Sequence, residues 1–144
     1  MTAEERTQRY EDAINNCGAE LVEYNPPVTS GEEDLSEPAF QLLGVTEEDM
    51  EAYAISLSAM NVQAYTIALI LPAEGKEETV LESVNSYVER QQQSFEFYLA
   101  DQYEIAKSAR VETLEDSTIL LVMAENTDEV YSAITEALSQ DAQA

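Results

Sequence analysis

The clearest pattern in the chain is a stripe at helical spacing: Val80, Val84, Val88, Gln91 and Phe95, widened by Leu81 and Tyr87. Residues three and four apart share one side of an α-helix, so the stripe predicts a long helix with one buried face. Pro72 to Gly75 lead into it. A more modest helix is expected over Ala3 to Asn16. There Thr2 and Glu5 have capping-box spacing, Ala3, Thr7, Tyr10, Ile14 and Cys17 recur at helical intervals, and Gly18 supplies the stop. A short helix from Pro38 to Leu43 has proline in its first turn and Gly44 behind it. Near the end, Asn126 with Glu129 three residues on marks the start of a last helix that buries Val130, Ile134 and Leu138.

Between the helices the repeat shortens to two residues. Tyr53, Ile55 and Leu57 alternate with Ala54, Ser56 and Ser58, which predicts a strand with one buried face. Asn61 marks a turn, and Ala64 to Leu71 follow as a more continuously apolar strand. Val111, Thr113 and Leu114 suggest an edge strand, Glu115-Asp116-Ser117 a turn, and Thr118 to Met123 a buried strand. Glu20 to Tyr24 read as a short extended piece. Asn25 to Glu37 read as an irregular acidic connection, with Pro26-Pro27, Thr29-Ser30-Gly31 and Glu32-Glu33-Asp34.

The element order contains two ββα units, and Thr66-Ile67-Ala68-Leu69 is the local match of Thr118-Ile119-Leu120-Leu121. Common ancestry and two buried strands with similar demands both explain that match. The expected fold is α+β: a four-stranded, mainly antiparallel sheet, helices on one face, possible tandem ββα units, and an N-terminal helix. Residues 1–34 are expected to form the N-terminal helix and acidic connection, 35–140 a single α+β domain, and 141–144 a tail.

Charge then narrows the function. Thirty acidic residues face six basic ones, a formal net charge of −24, and the 144 residues include no histidine. Phosphate binding needs Lys and Arg to displace counterions, so nucleic acid is not an expected partner. Without histidine the commonest general base and transition-metal ligand are missing, and Ser-His and Cys-His nucleophiles are excluded. The lone Cys17 excludes an internal disulfide and Cys-based zinc clusters; it reads as a small apolar residue at a helix end. The longest apolar run, Ile119 to Ala124, is six residues, far short of a membrane span. The first twenty residues are charged and lack an apolar signal core, so the chain as given is expected to be soluble, with any export signal removed or never present.

No calcium loop, phosphate loop, dinucleotide fingerprint or nucleophile elbow is present. No catalytic residue, metal ligand or cofactor is assigned. Gly31-Glu32-Glu33-Asp34 and Glu47-Glu48-Asp49-x-Glu51 read as solvated faces or helix starts. Arg90 to Arg110 is the densest segment in unusual side chains: Gln91-Gln92-Gln93, Phe95, Phe97, Tyr98 and Tyr103, with the basic Arg90, Lys107 and Arg110. One reading makes Arg90, Tyr98, Gln102 and Tyr103 a contact surface. The other pairs Arg90 with a nearby carboxylate and lets the aromatics close the core.

The same segment carries a resemblance. Asp49-Met50-Glu51-Ala52-Tyr53, Ser58-Ala59-Met60-Asn61-Val62-Gln63-Ala64, Val88-Glu89-Arg90-Gln91 and Tyr98-Leu99-Ala100-Asp101-Gln102-Tyr103-Glu104 together resemble a bacterial domain-of-unknown-function family of small cell-envelope lipoproteins. These proteins come mostly from Gram-positive, clostridial-type anaerobes. The similarity runs from about Leu35 to Leu138. The family commonly has proline where Ala100 stands, and a Gly-Asn-Tyr turn where this chain reads Glu115-Asp116-Ser117-Thr118. Cys17 follows the polar Asp12-Ala13-Ile14-Asn15-Asn16, so lipidation is not carried onto it. The resemblance implies an extracytoplasmic location and no catalytic residues.

The expected function is therefore a non-enzymatic, envelope-associated binding or interaction module, with an unidentified protein or cell-wall partner. One rival is a small hydrolase using paired carboxylates, which predicts a deep pocket holding two or more of them. The other is an acidic, salt-adapted structural protein, which predicts stabilisation by molar salt.

Overall fold

The structure is a computed structural model that describes residues 2–17, 22, 25, 27–29, 36–57, 64–96, 100–114 and 117–143. Its elements are α1 (Ala3–Asn15), α2 (Ser36–Leu43), a 3-10 turn (Glu47–Asp49), β1 (Met50–Leu57), β2 (Thr66–Pro72), α3 (Glu77–Phe95), α4 (Ala100–Lys107), β3 (Arg110–Thr113), β4 (Ile119–Met123) and α5 (Thr127–Gln143). The expected turn at Asn61, most of the piece Glu20 to Tyr24, and Tyr98 lie outside the described residues.

The helix ends follow local chemistry. Thr2 and Glu5 form the capping box of α1, the Glu5 N–H donating to Thr2 Oγ1 at 3.1 Å. Gly44, at φ +75°, ends α2 and lets the N–H of the buried Val45 reach back to the Phe40 carbonyl at 3.1 Å. The Val130 N–H bonds the Asn126 carbonyl at 3.0 Å and begins the α5 ladder.

All the pairing is antiparallel, in the order β1-β2-β4-β3, so the two most apolar strands are central. Outside the named strands, Val28 makes a bridge to Ile55, donating at 2.7 Å and accepting at 3.0 Å. The α+β class, the four-stranded antiparallel sheet and the N-terminal helix are as the sequence predicts.

The helices, however, do not share one face. Side chains of α2, α3 and α4 pack with Ile55, Ala68, Ile70, Ile119 and Leu121. Those of α1 and α5 pack with Ala52, Ala54, Ile67, Leu69, Leu120 and Val122 on the other side. The cause lies in β1: Ala54 and Ser56 read as a solvent face, yet both are fully buried. Ala52 and Ala54 admit Tyr10, Ala13 and Ile14 of α1, Ser56 is covered by Asn25 and Tyr65, and the alternation small-large takes the place of polar-apolar.

The ββα order recurs, but not as a symmetric repeat. Neighbouring antiparallel strands are related by a two-fold axis normal to the sheet, which keeps equivalent side chains on one face. Ile67 faces α1 and α5, whereas its counterpart Ile119 faces α3. α3 and α5 accordingly cover opposite faces.

Candidate functional site

α4 is an eight-residue helix with one fully buried side chain, Ala106, so its own hydrophobic stripe does little to hold it. Polar contacts do more. The Ala64 N–H, at the approach to β2, donates to Gln102 Oε1 at 2.8 Å. Gln92 of α3 donates to the Ala106 carbonyl at 3.2 Å. Beyond the helix, the Ser108 and Thr127 hydroxyls meet at 3.0 Å, and Thr127 Oγ1 accepts from the Ala124 N–H at 3.0 Å. α4 is thus tied to β2, to α3 and to the β4–α5 turn.

From that anchorage α4 presents Tyr103, which is half-buried against the α3-side core. Lys107 stands 4.6 Å over the Tyr103 ring and bonds Glu104 at 2.9 Å. The hydrogen bond to Glu104 raises the Lys107 ammonium above the ordinary lysine value. Two residues after the helix, β3 begins at Arg110. Its guanidinium stacks 3.7 Å over Tyr131 of α5 and reaches Asp128 at 3.5 Å and Glu112 at 3.8 Å.

Arg90 behaves differently. Exposed on α3, it donates from Nη2 to the Leu42 carbonyl at 2.8 Å, in the last turn of α2. Helix C-terminal carbonyls lack intrahelical donors, and a guanidinium supplies one. The structure thus joins Gln102 and Tyr103 on α4, while Arg90 holds α2 to α3 through a carbonyl rather than a carboxylate. Phe95 is buried and does close the core.

Two hollows lie elsewhere. One of 350 Å³, between α1 and β1, has Glu4, Glu11, Glu47 and Glu51 on its walls. One of 660 Å³ follows the outer side of α3 from Glu78 to Gln92. Among the described residues, no three His, Cys, Asp or Glu side chains are grouped to hold a metal, and no helix is long and apolar enough to cross a membrane.

Each basic side chain is already engaged. Lys76 pairs with Asp49 at 3.8 Å, Arg90, Lys107 and Arg110 as described above, and Arg6 and Arg9 of α1 also have partners. Six cations cannot neutralise thirty carboxylates, so the chain keeps a large acidic excess.

α4 itself was not legible in the sequence, whereas the edge strand β3 that it leads into was expected from Val111 and Thr113. The available signal was the spacing of Tyr103, Ala106 and Ala109, too short a stripe to stand out among Asp101, Gln102, Glu104 and Lys107. Residues 30–124 match the family described as a domain of unknown function, DUF4358, a span containing all four strands and α2, α3 and α4. The chain belongs to that family. No curated protein and no solved structure matches it.

Proposed function

We propose that this DUF4358 protein is an extracytoplasmic interaction module of the bacterial cell envelope, acting by binding a partner and not by catalysis. Its contact surface is α4 with Gln102 and Tyr103, with Arg90 holding the neighbouring helix pair, and Tyr98 joins the proposal on its sequence alone. The envelope location follows the small Gram-positive lipoproteins that the sequence resembles.

The observation that carries the reading is the construction of α4. A half-buried tyrosine under a lysine, on a short helix tied by side-chain bonds to three other elements, is a preorganised aromatic contact. Ordering such a side chain beforehand lowers the entropy lost on binding. The acidic surplus disfavours nucleic acid and favours cationic protein surfaces.

A cross-linking pull-down from envelope extracts of the source cells tests it. One saturable partner is expected, lost with Tyr103→Ala while the melting temperature stays near that of the parent protein. No partner above background overturns the reading. Binding and melting temperature falling together would make Tyr103 a packing residue.

A further inference from the structure

We propose that the outer edge of β3 accepts an extended cationic segment of a partner protein as a fifth strand. This mode of contact rests on the reading of the protein as an interaction module.

β3 ends the sheet, and among the described residues no strand or bridge lies beyond it. Leu114 N–H bonds the Thr118 carbonyl at 2.8 Å, so Leu114, Glu112 and Arg110 turn their peptide groups toward β4. The alternation directs those of Val111 and Thr113 outward, two donors and two acceptors in line. The opposite margin differs: at β1, Ile55 already exchanges both bonds with Val28.

Half-buried apolar side chains border the β3 margin on both sides of the sheet. Tyr103, Ile105, Ala109 and Val111 lie on the α4 side, and Leu114 and Tyr131 on the α5 side. An added strand covers both groups while pairing the backbone, which is the geometry of β-strand addition. Tyr103, on the adjoining helix, then falls within the same contact.

Charge selects the occupant. Natural sheets guard their edges with short strands, charges, prolines and bulges. β3 uses two of these devices, being four residues long and carrying Arg110 and Glu112, but it has no proline and no break in its register with β4. Arg110 is already shared between Glu112 and Asp128, whose carboxylates remain well exposed. With a net charge of −24, a second copy of the chain is repelled, whereas a lysine-bearing strand gains.

The test uses the full-length chain and a short synthetic peptide alternating lysine and valine, with amide signals followed by NMR. Saturable binding is expected, with slowed amide exchange at Val111 and Thr113. Replacing the peptide's lysines by glutamates should weaken binding more than about tenfold. Thr113→Pro removes one outward donor without touching the β4 ladder, and should weaken binding about tenfold. Should that variant fold poorly, N-methylation of alternate peptide amides makes the same cut on the other partner and should cost as much. Binding indifferent to both backbone changes, equal binding of the glutamate peptide, or association of the chain through β3 with itself each overturns the proposal. A pull-down partner indifferent to Thr113→Pro overturns strand addition alone, whereas no pull-down partner overturns the interaction module as well.

Discussion

Tyr10 on α1 and Thr118 at the head of β4 meet hydroxyl to hydroxyl at 2.5 Å, although 108 positions separate them in sequence. On the other face Tyr87 of α3 bonds Thr66 at the head of β2. Thr66 gives its proton to the Tyr65 carbonyl at 2.7 Å, so Tyr87 is the donor there. The two threonines that match in sequence thus each take a tyrosine, from opposite sides of the sheet. Both tyrosines are almost wholly buried, at 2% and 3% exposure. Tyr10→Phe and Tyr87→Phe should each lower unfolding free energy by about 1–2 kcal/mol, because a buried hydroxyl loses its partner. Urea unfolding measures this; an unchanged midpoint would show that the bonds add nothing.

Ser117 has φ +76° in the turn between β3 and β4, a left-handed conformation that side chains other than glycine's resist. Ser117→Gly should raise stability by about 1 kcal/mol, seen as a higher melting temperature. A lower one would mean that the serine side chain more than offsets the strain.

Burial raises the phenols of Tyr65 and Tyr87 above the ordinary value of 10.0. The folded protein then keeps protons that the unfolded chain releases. The resulting stability is fully present below pH 10 and is lost as pH rises from there toward the folded values, by up to about 1.4 kcal/mol per pH unit for each group. Alkaline unfolding should therefore be steep for the parent and shallower for Tyr65→Phe and Tyr87→Phe. Identical slopes would contradict the assignment.

How much of this could be read beforehand depended on the contrast between neighbouring side chains. α3 announced itself because Val80, Val84 and Val88 are buried valines on an otherwise polar helix. β2 and β4 were visible as apolar runs because helices cover them on both sides. The second covered face of β1 was hidden, since Ala54 looks the same whether a helix or water lies over it. Of the candidate site, Gln102 and Tyr103 were recognised as unusual, but nothing local revealed that Gln102 reaches Ala64, 38 positions earlier. Arg90 was recognised as a basic residue, whereas its partner is a backbone carbonyl, which carries no sequence signal.

Salt should stabilise the domain. Six cations against thirty carboxylates leave a self-repulsion that molar sodium chloride screens, since the Debye length falls from about 10 Å at 0.1 M to about 3 Å at 1 M. The melting temperature should rise by several degrees over that range. A flat response would argue that the carboxylates lie too far apart to repel, and would remove the salt-adapted reading with it.

The most direct measurement is amide hydrogen exchange on the full chain, free and with its captured partner bound. The account predicts new protection at Val111 and Thr113, with smaller changes along α4 from Gln102 to Lys107. Protection confined to the α1–β1 cleft around Glu11 and Glu51, or none near β3, would contradict it.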